Sequence, residues 1–259
     1  MTTLMIDSQF FYSLITSVFI GGVAGYLGSL MITKRMALVG DAVGHIALPG
    51  VALAVVYNFN IILGAFISLM IGVIVIWLFK TGTNLHTEAL TGIVFAVSVA
   101  IAFLLLPSED LETALIGDIT KISATDVVIS VFFSIIIFLI LKKIFPKMIL
   151  ATLSDDLALS QKINVKKYDL IYLIIIGVIV ALGIKILGSL LIGALVVIPA
   201  SASRNVSRNM FEYSYGGMLI GIISCILGVA LFSIIGFPAG PLIVLVSAVI
   251  FLITFLLKK

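Results

Sequence analysis

The sequence predicts an all-α integral membrane protein, a polytopic bundle of about eight to nine transmembrane helices. Of its 259 residues, 62% are hydrophobic and only 10% are charged, and the mean hydropathy is +1.36. Soluble domains carry about 25% charged residues, so this chain has too few charges to cover a globule in water, and lipid must surround it. The net charge of +3 is too small to indicate binding to nucleic acid.

Apolar runs long enough to cross about 30 Å of hydrocarbon recur along the chain. The first differs from a signal peptide, because no Lys or Arg precedes it and it exceeds the usual apolar length of about 7–15 residues. The two runs that meet at Gly188 are also compatible with one broken element, which leaves the count at eight or nine. The predicted spans are 10–33, 37–57, 60–79, 89–106, 126–145, 168–187, 188–203, 214–235 and 240–257.

Basic residues alternate between the two ends of these spans. Thirteen of the fifteen Lys and Arg residues lie at 34–35, 80, 142–147, 162–167, 204–208 and 258–259. The opposite ends carry Asp7 and the acidic stretch 107–112, with Lys121 and Lys185 as the only basic exceptions. Because cytoplasmic loops are enriched in Lys and Arg, we expect the N-terminus outside and the C-terminus in the cytoplasm.

No stretch predicts a separate soluble domain. Residues 1–259 are therefore expected to form a single transmembrane domain, whose longest cytoplasmic connection is at about 147–167. No Gly-x-x-x-x-Gly-Lys-Ser/Thr loop occurs, so the chain is not expected to be an enzyme with its own ATPase site. Energy for any pumping would come from a partner or from an ion gradient.

Small residues are spaced for close helix packing in three places. Gly-x-x-x-Gly motifs occur at 21–25, 40–44 and 217–221. This spacing places both glycines on one helix face and lets another backbone approach closely in lipid. The motifs predict tight packing and carry no information on a ligand.

Asp41 and His45 are the most informative polar pair, because both fall inside a predicted span. Their i, i+4 spacing places them on one helix face, about 6 Å apart at the backbone. Counted from Arg35 at about 1.5 Å per residue, Asp41 lies about 9 Å and His45 about 15 Å along the helix. An ionisable side chain at such depth costs roughly 2.5–3.5 kcal/mol and is a functional candidate by default.

Three interpretations of this pair remain open. Carboxylate and imidazole together suit Zn, Mn or Fe, and a two-fold dimer with this helix on its axis would assemble a four-ligand site for a passing ion. The others are a private Asp–His hydrogen bond that braces the bundle and a proton relay. Pro49 and Gly50 predict a break or bend in the helix beyond His45, and Pro199 predicts another on a later span. We assign these three a possible gating role.

The same residues carry a family resemblance. The stretch 40–53, Gly-Asp-Ala-Val-Gly-His-Ile-Ala-Leu-Pro-Gly-Val-Ala-Leu, is similar to the Asp-Ala-x-x-His-x-x-Leu-Pro-Gly signature of zinc/manganese/iron uptake permeases of ATP-binding-cassette (ABC) transporters. Further segments resemble that family in the same order, so the likeness covers nearly the whole chain. These segments are 88–95, 115–118, 191–204 and 238–244.

The resemblance implies a type II ABC importer-like fold and a permease that moves a divalent transition metal by alternating access. It implies a homodimer in the plasma membrane, in contact with lipid, with Asp41 and His45 on the metal path and no permanently bound cofactor. Its partners would be cytoplasmic ABC ATPase subunits and an extracytoplasmic metal-binding protein.

A cytoplasmic segment resembles the family's ATPase-coupling helix. Its matching residues are Asp155, Asp156, Ala158, Ile163 and Asn164. Two positions depart from the family's pattern, since Lys162 replaces a glycine and Ser154 replaces an aspartate. A short helix on this side would transmit a rigid-body push from the ATPase to the membrane helices.

Two other functions are compatible with the sequence. One is an ABC permease for a metal chelate such as a siderophore or cobalamin. The other is a gradient-driven secondary transporter or channel, against which the absence of paired, interrupted half-helices argues mildly. The sequence does not choose among Zn, Mn and Fe.

Overall fold

A computed structural model describes residues 8–83, 85, 87–105 and 115–258. The helices are α1 (Ser8–Thr33), α2 (Ala37–Ile46), α3 (Leu48–Val56), α4 (Ile61–Gly82), α5 (Thr87–Leu105), α6 (Ala124–Leu153), α7 (Asp155–Ser160), α8 (Val165–Val206), α9 (Met210–Ile235) and α10 (Ala239–Leu256), with a 3-10 turn at Ile119–Lys121. This part of the chain contains no β-strand. Eight helical stretches, with α2 and α3 taken together, are long and apolar enough to cross a membrane. The predicted all-α, multi-pass fold is confirmed.

Helix α8 is a helical hairpin that folds back at Gly188. Its 42 residues would extend about 63 Å if straight, twice the hydrocarbon thickness. Gly188 has φ 74 and ψ 171, angles that only glycine adopts readily. A Cβ at Gly183 would lie 2.1 Å from the Cδ1 atom of Ile192, although nine residues of straight helix separate Cα atoms by about 14 Å.

Contacts with α1 show that the two halves of α8 run antiparallel. Ile20 of α1 lies beside Gly183, whereas Leu27 accepts a 3.5 Å hydrogen bond from Tyr172. In the second half of α8, the backbone of Val196 packs against Gly28. Helix α1 is therefore antiparallel to the first half of α8 and parallel to the second half. When these halves are counted separately, the described residues form nine segments of membrane-crossing length.

Helix α1 lies at the centre of the bundle. Every residue from Ile20 to Met31 is buried, by packing against α6, α8 and α9. A Cβ at Gly25 would lie 2.1 Å from the carbonyl oxygen of Gly217, and one at Gly221 would lie 2.2 Å from that of Gly21. The Gly-x-x-x-Gly motifs of α1 and α9 therefore pack backbone to backbone, as their spacing predicts.

Both basic residues that depart from the charge pattern are paired with carboxylates. Lys121 lies 3.1 Å from Asp118, and Lys185 pairs with Asp126 at the start of α6. The acidic stretch 107–112, which defined this end of the spans in the sequence, lies outside the described residues. The predicted orientation rests on the thirteen basic residues at the opposite ends, since the rule counts Lys and Arg whether or not they are paired.

A buried charge cluster connects three helices at the ends of the spans opposite to Lys121 and Lys185. Asp169, in the first turns of α8, pairs with Lys34 and with Lys80 at 2.6 Å. Lys34 follows α1 directly, and Lys80 lies in the last turn of α4. This cluster fixes the base of α8, immediately after the predicted coupling segment, to the two helices that flank α2 and α3 in the chain.

Candidate functional site

Asp41 and His45 lie on the face of α2 that points away from the rest of the chain. Asp41 is exposed and His45 is half-buried, and Leu38, about one turn earlier, is also exposed. The opposite face is buried and consists of Val39, Gly40, Val43, Gly44 and Ile46. Because a carboxylate facing hydrocarbon costs roughly 2.5–3.5 kcal/mol, we expect protein or water, and not lipid, to cover the outward face.

The position of Asp41 is set by a backbone contact with the second half of α8. A Cβ at Gly193 would lie 2.5 Å from the Cα atom of Asp41 and 2.7 Å from its nitrogen. One turn further, a Cβ at Gly44 would lie 2.3 Å from the carbonyl oxygen of Ser189. Neither Gly193 nor Ser189 was identified as a site residue from the sequence, although both lie in or beside the stretch 191–204.

We expect Gly193→Ala to displace α2 and to reduce metal transport at least tenfold. The added methyl group would overlap backbone atoms of Asp41, which a side-chain rotation cannot relieve. Metal uptake into liposomes that also contain the ATPase and metal-binding partners implied by the family resemblance measures the effect. Gly92→Ala is the matched control, since Gly92 of α5 has no atom within 4 Å of an added Cβ. Equal transport by both variants would contradict this role for Gly193.

The His45 ring is held by an aromatic contact from α5. The ring centroids of His45 and Phe95 lie 5.2 Å apart, with an interplanar angle of 73°. This edge-to-face geometry restrains the imidazole while leaving its nitrogens available. None of the ion pairs within the described residues joins Asp41 to His45, so the interpretation as a private bracing pair gains no support.

The described residues of one copy of the chain do not assemble a complete metal site. Across residues 8–83, 87–105 and 115–258, no three His, Cys, Asp or Glu side chains come together. Asp41 and His45 therefore supply at most two ligands per chain. The only other histidine, His86, lies outside the described residues.

The predicted bend beyond His45 lies at Ala47, between α2 and α3. Pro49 occupies the first turn of α3, and Ala47 keeps near-helical angles of φ −70 and ψ −26, so the axis is interrupted without a sharp turn. The hydroxyl group of Ser68 donates a 2.7 Å hydrogen bond to the carbonyl oxygen of Ile46. Gly50 packs against the backbone of Gly64 in α4.

Pro199 does not break its helix. The second half of α8 continues through Pro199 to Val206, and the departure from helical angles is at Gly188. A gating role for Pro199, Pro49 or Gly50 stays a prediction.

The predicted coupling segment forms the short helix α7. Helix α6 continues to Leu153, so the connection between α6 and α8 is shorter than the expected 147–167. The hydroxyl oxygen of Ser154 accepts a hydrogen bond from the backbone nitrogen of Leu157. Serine therefore caps the N-terminus of α7 at the position where the family has an aspartate. Lys162 adopts a left-handed φ of 52, the conformation that glycine favours.

The residues of α7 separate into an inner and an outer face. Ala158 is fully buried, and its carbonyl oxygen accepts a 2.9 Å hydrogen bond from the nitrogen of Ile163. Asn164 caps α8 by accepting from the nitrogen of Lys167 at 3.1 Å. Asp155 begins α7, and Asp156 is exposed.

Two exposed leucines on α7 were missed in the sequence. Leu157 is 51% exposed and Leu159 is 68% exposed. A six-residue helix is too short to show a clear apolar periodicity, which is why neither residue was predicted. Both leucines lie in the short connection between α6 and α8, near the exposed Asp156.

Comparisons with known proteins agree with this architecture. The sequence pattern of the ABC 3 transport family matches residues 7–258. The chain is 29% identical to the manganese import system permease protein ScaB of Streptococcus parasanguinis, over 94% of this chain and 88% of that protein. It is 28% identical to the high-affinity zinc uptake system membrane protein ZnuB of Buchnera aphidicola, over 96% of this chain and 98% of that one.

Two solved structures share the fold. PsaBC from Streptococcus pneumoniae, in complex with Fab, superposes with a TM-score of 0.84 and 26% identity, over 97% of this chain and 92% of that chain. An inward-facing putative metal-chelate type ABC transporter superposes with a TM-score of 0.76 at 19% identity, over 94% of this chain and 84% of that chain. At that identity the second likeness concerns the fold alone.

Proposed function

Because the chain belongs to the ABC 3 transport family, we infer its function from that membership: it is the permease subunit of a metal-ion ABC importer in the plasma membrane. Relatives that match it over nearly its whole length are manganese and zinc permeases. We propose that its own cargo is one of these two ions, carried as a substrate and not held as a cofactor.

We propose that the ion passes between two copies of the chain, along the outward faces of their α2 helices. The observation that carries this proposal is the pair Asp41 and His45, which falls inside a predicted span although Asp41 is exposed and His45 is only half-buried in its own protomer. A second copy related by a two-fold axis would cover both faces and bring two carboxylates and two imidazoles together. Four such ligands suit manganese or zinc, and a site formed between two moving subunits can open to release the ion.

We further propose that separate cytoplasmic subunits hydrolyse ATP and dock on α7. The chain lacks a P-loop motif, and α7 presents Leu157 and Leu159 to a partner. Movement of α7 would reach α8 directly, because Asn164 caps the first turn of α8. The Asp169 cluster then connects the base of α8 to Lys34, which precedes α2 in the chain. An extracytoplasmic protein would deliver the metal to the opposite side.

The chelate-permease and secondary-transporter interpretations are not favoured. The manganese and zinc relatives are named as permeases of metal import systems, and the likeness to a metal-chelate type transporter is confined to the fold. The Asp41–His45 pair also fits a bare ion better than a bulky chelate, whose metal is already ligated.

Reconstituted transport tests the proposal. We expect liposomes that contain the permease and its ATPase subunits to accumulate manganese or zinc only when ATP and the extracytoplasmic binding protein are present. Matched liposomes with an ATPase inactivated at its catalytic site should accumulate none. Uptake driven by an ion gradient without ATP would contradict the proposed mechanism.

A further inference from the structure

A polar cavity of about 570 Å³ lies where α1, α8 and α9 end or begin on one side of the bundle. Its polar lining residues are Thr33, Arg35, Arg204, Ser207, Arg208, Asn209 and Tyr213. The ion pairs recorded within the described residues involve none of the three arginines. Three guanidinium groups thus surround one cavity without neutralisation by a described carboxylate.

Tyr213 forms part of the cavity wall. Its side chain lines the cavity and is only 5% exposed. Its hydroxyl group is buried and has no hydrogen-bond partner in the described part of the chain. Because this hydroxyl group is closed off from solvent, the arginines, and not Tyr213, are the groups that can reach a ligand in the cavity.

The start of α9 adds further positive potential. This 26-residue helix begins at Met210 on the rim of the cavity, and the positive end of a helix dipole favours anions. Glu212, in the first turn of α9, accepts from the backbone nitrogen of Arg208 at 2.9 Å and from the Asn209 amide at 2.7 Å. Its charge offsets part of this potential, so the three guanidinium groups remain the main positive charge at the cavity.

We propose that this cavity binds the phosphate group of an anionic phospholipid from the cytoplasmic leaflet. Arginine forks match phosphate oxygens in a bidentate way, and three guanidinium groups around one cavity offer several such contacts. The cavity lies where three helices reach the predicted cytoplasmic boundary, and basic pockets between transmembrane helices on that side bind lipid headgroups.

The surroundings favour a lipid over a free phosphate ion. Val206 and Met210 are partly exposed beside the cavity, and Phe211 is 69% exposed. These apolar side chains offer contact to acyl chains, which a phosphate ion lacks. The leaflet assignment rests on the predicted orientation, whereas the anion site itself does not depend on the proposed metal path.

Lipid binding to the full-length chain in detergent tests the proposal. Phosphatidylglycerol and phosphatidylcholine would be titrated separately, with native mass spectrometry to count bound lipids. We expect saturable binding of phosphatidylglycerol and none of phosphatidylcholine. Arg204→Gln should weaken it about tenfold or more, because a charge-assisted contact is lost. Tyr213→Phe should leave lipid binding unchanged, because the removed hydroxyl group is buried and does not face the cavity.

Lys142→Gln is the matched control, since Lys142 is an exposed cation of α6 outside the cavity. Equal weakening by Lys142→Gln and Arg204→Gln would overturn the proposal in favour of diffuse attraction to charge. Tight binding of inorganic phosphate without binding of phosphatidylglycerol would overturn the lipid assignment. If the Arg204→Gln protein no longer held the ATPase subunits but bound lipid as the wild type does, the cavity would be a protein contact and not a lipid site.

Discussion

Replacing Asp41 or His45 by alanine is expected to reduce metal uptake at least a hundredfold while the protein remains folded. In a two-fold dimer each substitution removes two of four ligands. Loss of even an outer-sphere partner of a metal ligand typically lowers metal affinity or activity about 10–100-fold. Folding should survive because Asp41 is exposed and His45 half-buried in the protomer. Uptake of manganese and zinc into proteoliposomes, with ATPase and binding protein present, measures the effect.

Two further variants separate ligand chemistry from packing. Asp41→Asn keeps the shape of the side chain and removes its charge, so uptake should be lost as with alanine. Phe95→Leu removes the ring that contacts His45 but leaves both ligands, so uptake should fall only partially. Wild-type uptake by a well-expressed His45→Ala protein would exclude His45 from the ion path.

The combined Leu157→Asp and Leu159→Asp variant is expected to release the ATPase subunits and thereby stop transport. Burial of a leucine contributes about 1.5–3 kcal/mol, and about 1.4 kcal/mol corresponds to a factor of ten in affinity. Two buried charges in place of two leucines should therefore weaken association by at least a hundredfold. Co-purification of the permease with its ATPase, followed by ATP-driven uptake, measures the loss.

Gln161→Asp is the control for this variant. Gln161 is exposed immediately after α7, so this change adds a negative charge to the same segment without removing an apolar contact. Association close to that of the wild type is expected. A doubly substituted protein that still holds its ATPase subunits would show that they dock elsewhere.

Much of the membrane architecture was predictable because each span must be apolar over a fixed length. The alternating basic clusters were also visible in the sequence, whereas the carboxylate partners of Lys121 and Lys185 were seen only in the structure. The two runs around Gly188 left open whether one element or two was present. Contacts in the folded chain, such as that between Gly183 and Ile192, show the hairpin, since periodicity cannot show which way a chain continues after a glycine.

The site was only partly predictable, for reasons of distance along the chain. The i, i+4 spacing of Asp41 and His45 is local, and the structure places both on one outward face of α2. Gly193 and Phe95 come from other helices, and no local pattern shows which helix packs against α2. The arginine cavity likewise brings Arg35 together with Arg204 and Arg208. Arg35 lies far from the other two in the sequence.

Metal binding to the purified permease tests the central claim most directly. Manganese and zinc would each be titrated into wild-type protein, Asp41→Ala and His45→Ala, with Gly92→Ala as a control for substitution in a membrane helix. We predict one metal ion per two chains in the wild type and the control, and none in the two ligand variants. Wild-type affinity in both Asp41→Ala and His45→Ala would contradict a metal path along α2.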